Sequence, residues 1–187
     1  MVAKHDVCPW WIGYFLVNPL RRLSQDPASI LKPYVRSGMT VLEPGPGMGF
    51  FTLELARLVG PFGRIIAVDV EPRMIGGLKR RAKKAGLLGR IDARAVPANS
   101  MQLGGLDGKI DFVFAAAVVH ELPGAAPFFA EAARALKRGG TFFLAEPAGH
   151  VSEAEFAEQL AAAASTGLRI VARPSLSRCY AVLLQKP

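Results

Sequence analysis

Residues 40–52 read TVLEPGPGMGFFT, and this stretch decides the fold. A short apolar run, Val41-Leu42, reaches a carboxylate, Glu43, and three glycines follow at alternate positions, Gly45, Gly47 and Gly49. Glycine takes positive φ without penalty and lets backbone approach a ligand closely. Backbone amides opening the next helix can then face a negative group. A strand, a bare turn and a helix in that order predict a ligand loop at the carboxyl end of a sheet strand. The spacing excludes two common ligands. A dinucleotide fingerprint needs G-x-G-x-x-G, but Phe50 stands at the third glycine position, and a phosphate loop needs a Gly-Lys-Ser/Thr ending that is absent. What stands is Glu-x-Gly-x-Gly-x-Gly.

Working outward, strands and helices alternate. Residues 64–70 (RIIAVDV) predict a second buried strand, and Pro72 opens a helix over 73–85. Strands are expected over 90–96, 110–116 and 141–146, with a helix over 127–136 that Lys137-Arg138-Gly139-Gly140 should close. Ser152 and Glu155 form a capping box before a long helix. Two last strands, 168–172 and 178–184, are separated by a turn with Pro174 and Ser175, short enough to permit only an antiparallel pair. The sum is an α/β chain: an open, mostly parallel sheet, helices on both faces and one reversed strand. The first forty residues differ. CPWWIGYFLVNPLRRL is aromatic, then basic, and Asp26-Pro27 reads as a cap opening the helix PASILKPYV. Residues 1–38 are therefore expected to be a helical extension and 39–187 the ligand-binding domain.

With 187 residues, 51% of them hydrophobic, the chain can bury one large core. Two cysteines, Cys8 and Cys179, indicate neither a disulfide framework nor a cysteine-rich metal site, and fit a reducing, cytoplasmic setting. The apolar run 10–17 is too short to span a bilayer and lacks a signal-peptide cleavage pattern. Net charge is +8, which favours anionic partners. The densest basic group, Lys79-Arg80-Arg81-Ala82-Lys83-Lys84, falls in a helix and reads as a solvated face or as a nucleic-acid patch.

The glycine pattern followed by RIIAVDVEP resembles the class I S-adenosylmethionine (SAM)-dependent methyltransferases, over residues 30 to the C-terminus. HDVCPWW with NPLRRL, and MGFFTL after the loop, resemble a bacterial and archaeal branch of small methyltransferases. The resemblance implies a Rossmann-like fold with seven strands in the order 3-2-1-4-5-7-6, strand 7 antiparallel. It also implies SAM as cofactor, with S-adenosylhomocysteine as product. Site residues follow by position. Asp69, about 20 residues beyond the loop, would accept both ribose hydroxyls. Val70 would press on adenine, Asn99 and Ala98 would meet its amino edge, and Ala117 would line the pocket. Glu43 stands where the family usually has an aspartate near the methionine amino group, one methylene longer. Glu71 reads as an N-cap or a second ribose contact. The bland alternatives stay open: Asp69 and Asn99 as turn residues, Glu43 as a loop brace, the glycines as a turn.

Methyl transfer from a sulfonium needs alignment and exclusion of water, with a general base optional. After the fourth strand, His120-Glu121 are the candidates for acceptor contact or proton removal, His120 because imidazole titrates in the useful range. The alternative for His120 is a helix-start histidine bonded to backbone. Glu146, at the end of the fifth strand, and Pro147 and His150 after it would face the same cavity, the alternative for His150 being a plain surface residue. Ala116-Ala117-Val118-Val119 replaces the Asn/Asp-Pro-Pro-aromatic run of nucleobase and glutamine amino-methyltransferases, and the three cysteines of arsenite methylation are absent. A small-molecule acceptor is therefore expected, with RNA as a second partner class and a non-catalytic SAM-binding module as a third reading. Trp10, Trp11, Tyr14 and Phe15, with His5 and Asp6, would form a lid, pack the extension, or touch a membrane surface.

Overall fold

Asp26 opens the first element of the computed structural model, which describes residues 25–187. The aromatic segment expected as a lid, with His5, Asp6 and Cys8, lies outside the described residues. Those described form two compact units, one ending at Val96 and the other beginning at Pro97.

In the first unit the Asp26 carboxylate accepts the Ala28 and Ser29 amides (3.3 and 3.1 Å) and caps α1, Pro27–Leu31. This helix is shorter than the sequence predicts, because Pro33 has no amide with which to continue the ladder. β1 (Thr40–Pro44), α2 (Thr52–Leu58), β2 (Arg64–Asp69), α3 (Pro72–Lys84) and β3 (Ile91–Ala95) follow. β1 and β2 pair in parallel from Thr40↔Arg64 to Pro44↔Val68, and β2 and β3 from Ile65↔Ile91 to Asp69↔Ala95. Val41, Leu42, Ile65, Ile66, Ala67 and Val68 are all buried, the apolar run of a strand covered on both faces. α3 buries Met74, Ile75, Leu78 and Ala82 and exposes Arg73, Lys79, Arg80, Lys83 and Lys84. The basic run is thus the solvent side of an amphipathic helix.

The second unit contains β4 (Ile110–Ala116), a short 3-10 turn (Val119–Glu121), α4 (Ala125–Ala135), β5 (Leu136–Pro147), α5 (Glu153–Ser165), β6 (Arg169–Ala172) and β7 (Cys179–Gln185). Its core is aromatic: Phe114 stacks on Phe143 at 5.5 Å, and Phe129 meets Phe142 at 5.5 Å. The Ser152/Glu155 capping box forms as expected. The close of α4 differs from expectation. Lys137–Gly140 do not terminate the helix; they belong to β5, where the β4 register jumps from Ile110↔Leu136 to Phe112↔Thr141. The Gly139 amide donates to the Lys186 carbonyl (2.8 Å) and the Lys186 amide to the Gly140 carbonyl (3.0 Å), so the C-terminal chain recruits these glycines into the sheet. Arg134 lies in the last turn of α4, and Lys186 adds a second cation there, its Nζ donating to the Leu136 carbonyl at 2.7 Å.

The seven strands have the order β3-β2-β1-β4-β5-β7-β6, with β7 antiparallel to β5 and β6.

Candidate functional site

The glycine loop leaves β1 as a bend whose backbone favours glycine. Gly45, Gly47 and Gly49 have φ of +64°, +53° and +85°. Gly49 also has no room for a side chain, since a Cβ there would lie 2.4 Å from Leu78 Cδ1 on α3. Gly77 on α3 admits Met48 in the same way, with Met48 Cγ at 2.8 Å from its would-be Cβ. The Arg81 guanidinium donates to the Met48 carbonyl. Small residues and one arginine thus press α3 against the loop.

Asp69, at the end of β2, turns toward this bend. Its Oδ2 accepts the Gly47 amide at 3.1 Å and its Oδ1 the Glu71 amide at 3.0 Å. The second bond is the one an ordinary strand-end turn would make; the first ties the carboxylate to the loop. A carboxylate has about four acceptor positions, so two stay available for hydroxyl donors. Burial raises the Asp69 carboxyl above its usual range, the Glu71 and Gly47 amides oppose this, and the charge of Glu71 adds to the rise. Glu71 accepts the Arg73 amide at 2.9 Å and caps α3, the N-cap role read from the sequence. Val70 is half-buried beside it.

Glu43 is the sharpest anomaly. It is only 3% exposed, and among the described residues its Oε2 has no hydrogen-bond partner. Burial pushes its carboxyl up to about 8, the Thr52 hydroxyl pulls it down in part, and the charge of Asp69 raises it further. Buried polar atoms are almost always paired, so an orphan beside a glycine bend fits a ligand that brings its own donor. An ammonium group answers both the geometry and the charge.

In the second unit Ala98 and Asn99 are exposed on the loop after β3. That loop is clasped from α4 by Glu131, which accepts from Ser100 Oγ (3.2 Å) and from the Met101 and Leu103 amides (2.8 and 3.3 Å). Beyond β4, Ala117 sits at φ +56°, an uncommon conformation for alanine, with its amide on the Ala145 carbonyl at 2.8 Å. His120 and Glu121 lie in the 3-10 turn that follows. Among the described residues the His120 ring bonds no backbone group; its Nδ1 meets the Glu146 carboxylate. Sequence reading put Glu43, the glycines and Asp69 around one ligand, and the structure brings these residues together within the first unit. It missed Glu131, Arg81 and Gly77, which carry no local motif, and it gave Glu146 no partner.

A family model described as a methyltransferase domain matches residues 35–175. A crystal structure of a SAM-dependent methyltransferase from Aquifex aeolicus superposes with a TM-score of 0.86 at 26% identity, covering 97% of this chain and 100% of that one. Among curated proteins, ribosomal protein L11 methyltransferase of Pelotomaculum thermopropionicum is 33% identical over 59% of this chain and 33% of its own length. The ubiquinone/menaquinone biosynthesis C-methyltransferase of Klebsiella pneumoniae is 25% identical over 78% of this chain and 55% of its own. The chain thus spans a third to about half the length of these curated relatives.

Proposed function

The chain belongs to the methyltransferase-domain family of class I SAM-dependent methyltransferases, and from that premise we propose that it transfers a methyl group to a small-molecule acceptor. SAM is the cofactor of this family. When bound it supplies an electrophilic methyl on a sulfonium and leaves as neutral S-adenosylhomocysteine.

The observation that carries the reading is the orphaned, buried Glu43 Oε2 beside the glycine bend. In this reading Glu43 holds the methionine ammonium of the cofactor and Asp69 accepts its ribose hydroxyls. Gly45, Gly47 and Gly49 give the backbone its close approach. Val70, Ala98 and Asn99 meet the adenine, and Ala117 lines the methyl end. His120 and Glu121 face the acceptor. The chain's task is to bind, align and exclude water. Residues 39–187 form the cofactor-binding domain and 1–38 the extension. Two cysteines, too few for a disulfide framework, suit a cytoplasmic setting.

The small-molecule class rests on Ala116-Ala117-Val118-Val119, which offers no polar-Pro-Pro-aromatic platform for a base amino group. The exposed cations of α3 and a net charge of +8 favour RNA as the second reading. Incubation with methyl-labelled SAM decides between them. Label in the low-mass fraction of a deproteinised, nuclease-treated metabolite extract is the expected result. Label confined to added RNA overturns the small-molecule reading.

A further inference from the structure

We propose that Glu146 is the positioning residue for His120, holding the imidazole by Nδ1 so that Nε2 receives the proton of a hydroxyl acceptor, phenolic or enolic. This rests on the methyl-transfer reading above and adds to it a base, its orienting partner and an acceptor class.

The geometry begins with a carboxylate that has no access to water. Glu146 is the penultimate residue of β5 and is 0% exposed. A buried carboxylate persists only with its lone pairs engaged. Oε1 accepts the Val119 amide at 2.8 Å and the Val118 amide at 3.2 Å, and Oε2 meets His120 Nδ1. All three partners belong to the turn leaving β4. That turn begins with Ala117 in the left-handed region. Strained backbone of this kind persists where its surroundings over-determine it, and it concentrates at functional sites. One buried side chain therefore fixes both the turn and the ring it carries.

A carboxylate is only an acceptor, so the ring nitrogen that meets it carries the hydrogen. The neutral imidazole then has its lone pair on Nε2. Among the described residues nothing bonds Nε2, and the His120 side chain keeps 20% of its surface exposed. The groups around the ring come from four places. Glu146 lies on β5, Glu121 in the same turn, Glu155 in the first turn of α5, and His150, on the connection between β5 and α5, packs edge-on at 6.0 Å. The Glu146 hydrogen bond raises the His120 pKa, burial opposes it, and the charges of Glu146, Glu121 and Glu155 add to the rise. His120 is thus a stronger base than a free imidazole.

The acceptor class follows from what needs such a base. A neutral amine attacks with its own lone pair and sheds its proton afterwards. A thiol ionises near neutral pH unaided. A phenol, with a pKa of about 10, gains most from losing its proton as its oxygen attacks. The hydroxyl proton passes to Nε2 while the oxygen electron pair forms the bond to the methyl carbon, and the carbon–sulfur pair departs with the thioether. One positive charge is lost at sulfur and one appears on the imidazolium, where Glu146 stabilises it.

The test uses the full chain with 15N-labelled histidine. NMR of the cofactor-free protein should show His120 titrating above the ordinary imidazole range and, at pH values above that titration, carrying its single ring proton on Nδ1. Glu146→Gln keeps an oxygen for the Val118 and Val119 amides but turns an NH2 toward Nδ1, so the ring proton should move to Nε2. Methyl transfer to a phenol probe, phenol itself or 4-methylphenol, should then fall about 100-fold in kcat with KM and S-adenosylhomocysteine affinity little changed. Glu146→Asp, which keeps the carboxylate, should restore the Nδ1-H tautomer and part of the rate. A wild-type ring protonated at Nε2, or a Glu146→Gln tautomer and pH profile equal to wild type, overturns the positioning role. Transfer to aniline or thiophenol probes alone, or to none of the three, overturns the acceptor class. Absent S-adenosylhomocysteine binding by the wild type would instead overturn the methyl-transfer reading, and the tautomer, read without cofactor, separates the two.

Discussion

Asp69 Oδ2 accepts the Gly47 amide hydrogen at 3.1 Å across 22 positions of sequence. The end of β2 thereby braces the glycine bend at the end of β1, and the same carboxylate keeps acceptor positions for a ligand. Asp69→Ala removes the brace and the ligand contact together. Hydrogen bonds to a charged group contribute about 1.5–3 kcal/mol, so the Kd for S-adenosylhomocysteine should rise roughly 10–150-fold in calorimetric titration. An unchanged Kd would assign Asp69 to the turn alone.

Glu43 gives a pH dependence of definite sign. Its carboxyl is raised from 4.5 to about 8 in the folded chain, so the native state holds this proton more tightly than the unfolded chain. The stabilisation is complete below the unfolded value and is lost as pH rises to and through about 8. Without cofactor, wild type should lose melting temperature between pH 6 and pH 9, and Glu43→Gln should lose less. A cationic ammonium should also expel the Glu43 proton. Calorimetry at pH 7 in buffers of differing ionisation enthalpy should show up to about one more proton released by wild type than by Glu43→Gln. Equal proton release would place the ammonium elsewhere.

The glycines separate strain from space. Gly47 has positive φ but open surroundings, whereas Gly49 has positive φ and Leu78 in the way. Gly47→Ala should cost about 1 kcal/mol of stability from strain alone. Gly49→Ala adds overpacking of about 1–3 kcal/mol. Urea midpoints should therefore fall further for Gly49→Ala, and the reverse order would contradict the packing of α3 on the loop.

Glu131 holds three donors of the loop that carries Asn99. Glu131→Ala strands two part-buried amides, at about 1–3 kcal/mol each at most. Hydrogen exchange should quicken at Met101 and Leu103 and stay unchanged at the Ser152/Glu155 cap. Uniform exchange along the whole unit would mean that Glu131 supports the fold generally.

The fold was legible because its signals are local. Apolar runs bounded by glycine gave β1 and β2, Pro72 and Glu71 gave the start of α3, and Ser152 with Glu155 gave the start of α5. The strand order came from the family resemblance. Lys137–Gly140 misled, because a basic pair before two glycines is the usual helix ending, and only the distant Lys186 shows that these residues are strand. Glu43, Asp69 and the glycines, which the structure brings together, were legible because a carboxylate, alternate glycines and a second strand-end carboxylate form a pattern visible in the sequence itself. Glu131 and Arg81 were not, since each acts through a partner roughly 30 positions away in sequence and looks locally like an ordinary helix surface residue. Glu146 was visible as a carboxylate at a strand end, but its bond to His120 is set by the turn after β4 and by no sequence motif.

Titration of the purified chain with S-adenosylhomocysteine, wild type beside Asp69→Ala and Glu43→Gln, bears most directly on the glycine bend and its two carboxylates as a cofactor cradle. Saturable uptake of one molecule per chain by wild type, clearly weakened in both variants, is the predicted result. No uptake by the folded wild-type chain, or uptake that neither substitution weakens, would contradict it.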